Sequence, residues 1–305
     1  MKRNHKKIIG IVALAFIVAA IAAMVWLTPR WEGQVWHVPV LVAVMPPPVV
    51  PPSEQQPTPT PEQNQQPAAN ISPVLPKPEE IPPHFEGKPR IAIIIDDMGL
   101  DPIGSARAII LSPSVTLSFL PYANDLSDQT ERARLAGHEL LLHMPMEPIG
   151  HENPGPGTLR VGMPPEELRA ILEKALASFS GFDGVNNHMG SKFTADSEGM
   201  SLVVDVLREH HLFFLDSRTG MKSVGEATAK AHNLPAGARD VFLDNDTNPA
   251  AIRGQLAEVE REARRKGSAI AIGHPHAETL QVLEDWLPGA PDRGFELVPV
   301  RELIH

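Results

Sequence analysis

A chain of 305 residues with a formal net charge of −10 and no basic block beyond its extreme N-terminus has no electrostatic footprint for nucleic acid, so a polyanion partner is not expected. The absence of cysteine excludes a disulfide framework, a lipid-modified cysteine and any thiolate nucleophile or metal ligand. A metal, if there is one, must be held by histidine and carboxylate, and the chain carries 13 histidines.

Lys2, Arg3, Lys6 and Lys7 precede an uncharged run from Ile8 to Leu27. As a helix rising about 1.5 Å per residue, this run reaches roughly 30 Å, the hydrocarbon thickness of a bilayer. The basic flank before it predicts a cytoplasmic N-terminus, with everything after Leu27 outside. Ala20, Ile21 and Ala22 form a small-x-small pattern suited to signal cleavage, but the apolar run continues through Trp26 and Leu27, which favours an uncleaved anchor. Prolines then recur from Pro46 to Pro83 among Gln, Thr, Glu and Asn. That composition buries too little apolar surface to offset chain entropy, and extended at about 3.1 Å per residue it reaches on the order of 100 Å. The expected organisation is an anchor over residues 1–30, a proline-rich stalk over 31–89 and a folded domain over 90–305. The expected location is single-pass in the inner membrane, with the domain in the periplasm.

After Pro89, short apolar strands alternate with amphipathic helices, the pattern of βα units around a parallel sheet. Ile91–Ile95 is a continuous apolar run, as expected of a strand covered on both faces. Val115–Phe119, Glu139–Leu142, Val185 with its flanks, Phe213–Leu215, Val241–Leu243 and Ala269–Ile272 repeat the theme, and Leu297–Val300 adds a partial strand. Pro164 and Pro165 open a helix whose Leu168, Ile171, Leu172 and Leu176 follow helical spacing. Asn248 and Pro249 start another, which runs to Lys266 and stops at Gly267. About seven or eight such units predict an α/β domain built as a compact, incomplete (β/α)7-8 barrel, with an open doubly wound sheet as the alternative.

In parallel α/β folds the functional residues gather at the carboxyl ends of strands. Asp96 and Asp97 stand at such an end, and two adjacent carboxylates there are costly unless a cation or proton is shared. A helix N-cap would account for one acid and not the second. His143 ends the strand that His138 begins, so His143 is a candidate ligand and His138, at the opposite rim, a structural residue. Glu147 lies within reach of the same centre but is equally suited to a surface loop. His188 is a third candidate ligand, supported by Asn186, Asn187 and Gly190 beside it. His274 and His276 follow the last full strand, placed for proton transfer. Asp216 and Asp244 complete the rim.

These motifs, namely Asp96-Asp97-Met98-Gly99, GHELLLHMPMEP from Gly137, NNHMGS from Asn186, LDSRT from Leu215 and GHPH from Gly273, resemble the divergent polysaccharide deacetylase family across essentially all of residues 90–305. The resemblance implies a deformed βα barrel of the NodB-like carbohydrate esterase type and a divalent metal, usually Zn2+. Asp96 would be the general base, Asp97 and His143 would be metal ligands, and His274 or His276 would be the general acid. Four residues beyond His143, those relatives carry a second histidine where this chain has Glu147. From its placement, His188 is the replacement ligand. Asn187 is a candidate oxyanion donor.

The expected reaction is metal-dependent hydrolysis of N-acetyl groups on an aminosugar polymer such as an envelope polysaccharide or peptidoglycan. The alternative is a glycan- or partner-binding domain without catalysis. A glycosidase ranks last, because adjacent carboxylates do not flank a scissile bond at the separations of about 5 to 9 Å that such enzymes need.

Overall fold

The computed structural model describes residues 87–305. The expected anchor and stalk lie outside the described residues, and among the described residues no helix is long and apolar enough to cross a membrane. The strands are β1 (Arg90–Met98), β2 (Thr116–Phe119), β3 (Leu140–Met146), β4 (Gly184–Met189), β5 (Phe213–Asp216), β6 (Ala236–Ala238), β7 (Val241–Phe242), β8 (Ser268–Gly273) and β9 (Glu296–Leu297). The helices are α1 (Pro102–Ile109), α2 (Leu126–Leu135), α3 (Pro165–Leu176), α4 (Ser197–Glu209), α5 (Gly225–Ala231), α6 (Pro249–Lys266) and α7 (Ala277–Trp286). Local chemistry accounts for several of their ends. Asp101 accepts from the Ile103 amide to cap α1. Asn248 caps α6 in the same way, and Gly267 ends it with φ +90°.

All the strands are parallel, in the order β6-β5-β4-β3-β2-β1-β8-β7, with β9 on β1. This is the cyclic order of a barrel opened between β6 and β7. Only Arg239 and Asp240 separate those two strands in sequence, and they span the opening: the Arg239 amide donates to Asp216 O on β5 (2.9 Å) and the Asp240 amide to Ile270 O on β8 (2.8 Å). The sheet is therefore a curled, incomplete barrel. The doubly wound alternative needs the strand order to reverse partway along the sheet, and it does not. Some elements differ from the expected reading, and β3 runs on past the expected end at Leu142 to Met146, so His143 lies within it. Ala-Gly-Ala in β6 has none of the β-branched residues that signal a strand. The expected strand Leu297–Val300 pairs only at Glu296–Leu297 before a 3-10 turn over Val300–Leu303.

Alternation along each strand divides the core. Outward residues pack under the helices in two clusters, one around β1, β2 and β8 and the other around β3, β4 and β5. Ala92, Ile94, Leu141, Leu215, Ile270 and Ile272 come from β1, β3, β5 and β8, of which only β1 and β8 are neighbours, yet form one cluster, so they meet across the concave face. Val298, Val300 and Leu303 close this cluster from below. Their turn is tied in by Val300 N donating to Thr116 Oγ1 (3.0 Å) and by the Arg301 guanidinium 2.8 Å from Glu139. His138 is structural as expected: at this lower rim its ring nitrogens lie 2.7 and 2.9 Å from the carbonyls of Val115 and Ile109.

Leu303 is 6% exposed. Leu303→Ala should therefore lower the unfolding free energy by about 2–4 kcal/mol in urea titration, because it leaves a void beneath the barrel interior. Metal affinity at the opposite end should be unaffected.

Candidate metal centre

Each inward series turns polar at its upper end. Ala92 and Ile94 lead to Asp96, Leu141 to His143, Leu215 to Ser217, and Ile270 and Ile272 to His274. On β4 the series is Gly184, Asn186, His188. A regular strand would send Asp97 to the opposite face from Asp96. Instead the β1–β2 register shifts between Ile95 and Met98, and Asp97 adopts φ +56°. This bulge brings both carboxylates to the concave side. Met189 (φ 52°) and Arg218 (φ 45°) take the same left-handed conformation at the ends of β4 and β5. Backbone strain of this kind is typical of functional sites.

Three candidate ligand atoms converge. His188 Nδ1 lies 2.8 Å and His143 Nε2 3.3 Å from Asp97 Oδ1, and the two ring nitrogens are 3.2 Å apart. An ion bound at about 2.0–2.1 Å to each of three tetrahedral ligands separates them by about 3.3 Å. Asp97 Oδ1 is buried and has no aligned hydrogen-bond donor, although such an oxygen is costly to leave unpaired. A two-histidine, one-carboxylate set with this spacing fits a divalent transition ion. The site opens into a cleft of about 600 Å³ bordered by Arg218, Arg239, Phe242 and Glu152.

The charges favour a cation. Burial pushes the Asp97 carboxyl up, but the two imidazoles beside it outweigh burial and hold it well below the usual carboxylate range. Burial is also the largest influence at Asp96 and there prevails, raising its pKa against the pull of His143, His274 and the Asn186 amide. Burial would lower the pKa of His143, but Asp96 and Asp97 reverse this and raise it. A field that draws a proton onto His143 also draws a metal ion.

His274 and His276 separate cleanly. The His274 Nδ1 is 3.0 Å from Asp244 Oδ1, and its Nε2 is 3.9 Å from Asp97 Oδ2. Asp244 is fixed in turn by the His274 amide (2.6 Å) and the Thr279 hydroxyl (2.8 Å). Burial lowers the His274 pKa, yet the Asp244 hydrogen bond and charge, with Asp97 and Asp96, bring it up to about 9. His276 is exposed at the start of α7. Asp244, His274 and His276 also place three ligand-type atoms close together, but the Asp244 carboxylate is already engaged by His274 and Thr279.

Glu147 lies apart from the three converging atoms. Its carboxylate is 2.8 Å from Lys192 Nζ and accepts from the Val161 amide at 2.9 Å. Asn187, expected as an oxyanion donor, is instead engaged in holding the scaffold. Its Nδ2 donates to Met189 O (2.7 Å) and its Oδ1 accepts from the Ser217 amide (2.9 Å), tying β4 to the loop after β5. Asp216 accepts from the Arg218 amide and from Ser223, bracing that same loop.

Sequence reasoning missed Ser118, Asn186 and Arg239. Alternation on β4 would have found Asn186, since an inward His188 forces position 186 inward and 187 outward. Arg239 lies in the stretch that bridges the sheet opening and donates to the carbonyls of Ser217 (2.6 Å) and Arg218 (2.8 Å). No periodicity marks it.

With the geometry described, comparison with known proteins gives a consistent class. Residues 93–304 match the family described as divergent polysaccharide deacetylase, and the chain belongs to that family. It is 35% identical over 216 residues to the uncharacterized Escherichia coli K12 protein YibQ, covering 71% of this chain and 67% of that protein. An uncharacterized Haemophilus influenzae protein is 35% identical over 203 residues, covering 67% of this chain and 72% of its own length. The crystal structure of an uncharacterized protein from Agrobacterium tumefaciens C58 superposes with a TM-score of 0.69 at 36% identity, covering 72% of this chain and 91% of that one.

The His274 pKa has a consequence for stability. It is raised from 6.5 to about 9, so in the metal-free protein its contribution is complete below pH 6.5 and is lost as pH climbs through about 9. Unfolding titrations of metal-free wild type should lose stability across that interval, and His274→Gln should flatten the loss. NMR should show the His274 ring titrating near the upper value.

Proposed function

We propose that this chain is a metal-dependent hydrolase that removes N-acetyl groups from an aminosugar polymer of the cell envelope. The observation that carries this reading is the convergence of Asp97 Oδ1, His143 Nε2 and His188 Nδ1 within 3.3 Å of one another, flanked by a buried carboxylate and a carboxylate-held imidazole. Asp97, His143 and His188 would hold a divalent ion such as Zn2+. When bound, that ion supplies Lewis acidity toward an acyl oxygen and lowers the pKa of water.

The chain's own groups account for the proton movements. Asp96 has one oxygen held by Asn186 (2.8 Å) and the other, 3.6 Å from His143 Nε2, on the side of the converging atoms, so it can take a proton from the attacking water. Water oxygen bonds to the acyl carbon, the C–N bond breaks, and the products are acetate and a free sugar amine. The departing nitrogen needs a proton, and His274 Nε2 faces the site with Asp244 behind the ring, the arrangement of a general acid. The raised His274 pKa suits an acid that holds its proton near neutrality, and burial gives Asp96 a greater affinity for a proton than an exposed carboxylate has. His276 is left out because it is exposed and lacks a carboxylate partner of this kind.

The basic N-terminal flank, the apolar run Ile8–Leu27 and the proline-rich segment support placing this hydrolase on a tether in the inner membrane, with its domain in the periplasm. Membrane and wall polymer would then both be partners.

Elemental analysis and acetate release from chitooligosaccharide and peptidoglycan fragments, with and without chelator, test the assignment. Asp97→Ala, His143→Ala and His188→Ala should lose bound metal, whereas Glu147→Ala should keep it. Asp96→Asn should keep metal and lose turnover by about 100-fold or more. Zinc bound to the Asp97 and His143 variants as tightly as to wild type would sink the ligand set. Metal-loaded protein silent on every substrate would favour a glycan-binding domain.

A further inference from the structure

Asn186 is fully buried on β4, and its side chain links otherwise separate parts of the site. Its Oδ1 accepts from the Ser118 hydroxyl (2.6 Å) and faces His143 Nδ1 (2.8 Å). Its Nδ2 donates to Asp96 Oδ1 (2.8 Å) and to Ser217 Oγ (3.2 Å). The chemistry of these partners fixes which way the amide points. Asp96 in the ionised form that its proposed role as base requires only accepts, so the NH2 group faces it at 2.8 Å and the carbonyl faces His143 at 2.8 Å. A carbonyl oxygen only accepts, so His143 must carry its proton on Nδ1. The neutral ring then has its lone pair on Nε2, the atom 3.3 Å from Asp97 Oδ1.

From this network we infer that Asn186 is a positioning residue that sets the His143 tautomer for metal binding and, with the other end of the same amide, aims Asp96. The inference rests on the hydrolase reading, in which Asp96 is an ionised base, but its tautomer and zinc readouts involve no substrate. No other side chain of this size serves both ends: leucine has neither donor nor acceptor, and an ionised aspartate has only acceptors. A metal-bound histidine is ordinarily oriented by a carboxylate, a backbone carbonyl or water at its other ring nitrogen. Here the group that orients the histidine also holds the carboxylate assigned as the base.

The test uses the full chain labelled with 15N-histidine, with Asn186→Leu and Asn186→Asp as variants. Imidazole 15N shifts of the metal-free protein report the tautomer, and zinc titration against a competing chelator reports affinity. Wild type should show His143 protonated on Nδ1. Asn186→Leu should mix the tautomers and weaken zinc binding by about 10- to 100-fold. Asn186→Asp retains an acceptor for His143, so its tautomer and zinc affinity should stay within about threefold of wild type. Its turnover should fall on the order of tenfold or more, because it donates nothing to ionised Asp96.

Folded Asn186→Leu with wild-type tautomer and zinc affinity would overturn the inference. If Asn186→Leu does not fold, a shifted His143 tautomer in Asn186→Asp would overturn it instead. Unchanged turnover in metal-loaded Asn186→Asp would remove the Asp96 half. Because the tautomer and zinc readouts involve no substrate, they separate this inference from the proposed reaction. An inactive wild type with the expected shifts defeats the reaction alone, and an active wild type whose Asn186→Leu variant binds zinc normally defeats the inference alone.

Discussion

Two consecutive carboxylates face one cleft because β1 breaks its own alternation at Asp97. Two unit charges about 4 Å apart repel by roughly 4 kcal/mol at an effective dielectric near 20, and a non-glycine residue in the left-handed region costs of order 1–3 kcal/mol more. Relaxing the bulge would turn Asp97 away and relieve both costs. The fold keeps it, with Gly99 (φ +102°) packed on Ala123 to continue the turn. Such an arrangement is sustainable where positive charge compensates it. His274 supplies part of that charge, and the buried Asp97 Oδ1, with no aligned donor, is where a cation would supply the rest.

The rest of the site follows from strand geometry. The same concave face that is apolar at Ile94, Leu141 and Ile272 becomes polar at Asp96, His143 and His274, two residues further along each strand. The lower half is filled by its own apolar side chains and by the Val300–Leu303 turn. Polar groups above it are thereby held in a low-dielectric environment, which strengthens their interactions and raises the cost of any unpaired member. The sheet opening between β6 and β7 coincides with Arg239, which braces the loop after β5 while bordering the cleft.

With Glu147 standing where the family resemblance implies a histidine, three ligand-type side chains still converge in this region. Parallel pairing sets His143 level with Asn186 and Pro145 level with His188. His188 therefore reaches the converging atoms from the neighbouring strand, at a point intermediate between positions 143 and 147. Glu147 is released to pin its own loop through Lys192 and Val161. The third ligand-type atom thus comes from the neighbouring strand and faces the same cleft.

The apolar runs, helix punctuation and motif residues by themselves determined the parallel βα architecture and the helix boundaries at Asn248 and Gly267, and singled out Asp96, Asp97, His143, His188 and the pair His274 and His276 as candidate chemistry-bearing side chains. These are local properties, written in periodicity and residue type. Tertiary structure decided where the curled sheet opens, that Ala236–Ala238 pairs as a strand, that His274 and not His276 faces Asp97, and that the Asn186 amide reaches both His143 and Asp96. Each of those outcomes depends on the facing of strands brought together from distant parts of the chain. Facing depends in turn on register and on a bulge at Asp97, neither of which leaves a mark in the order of residues.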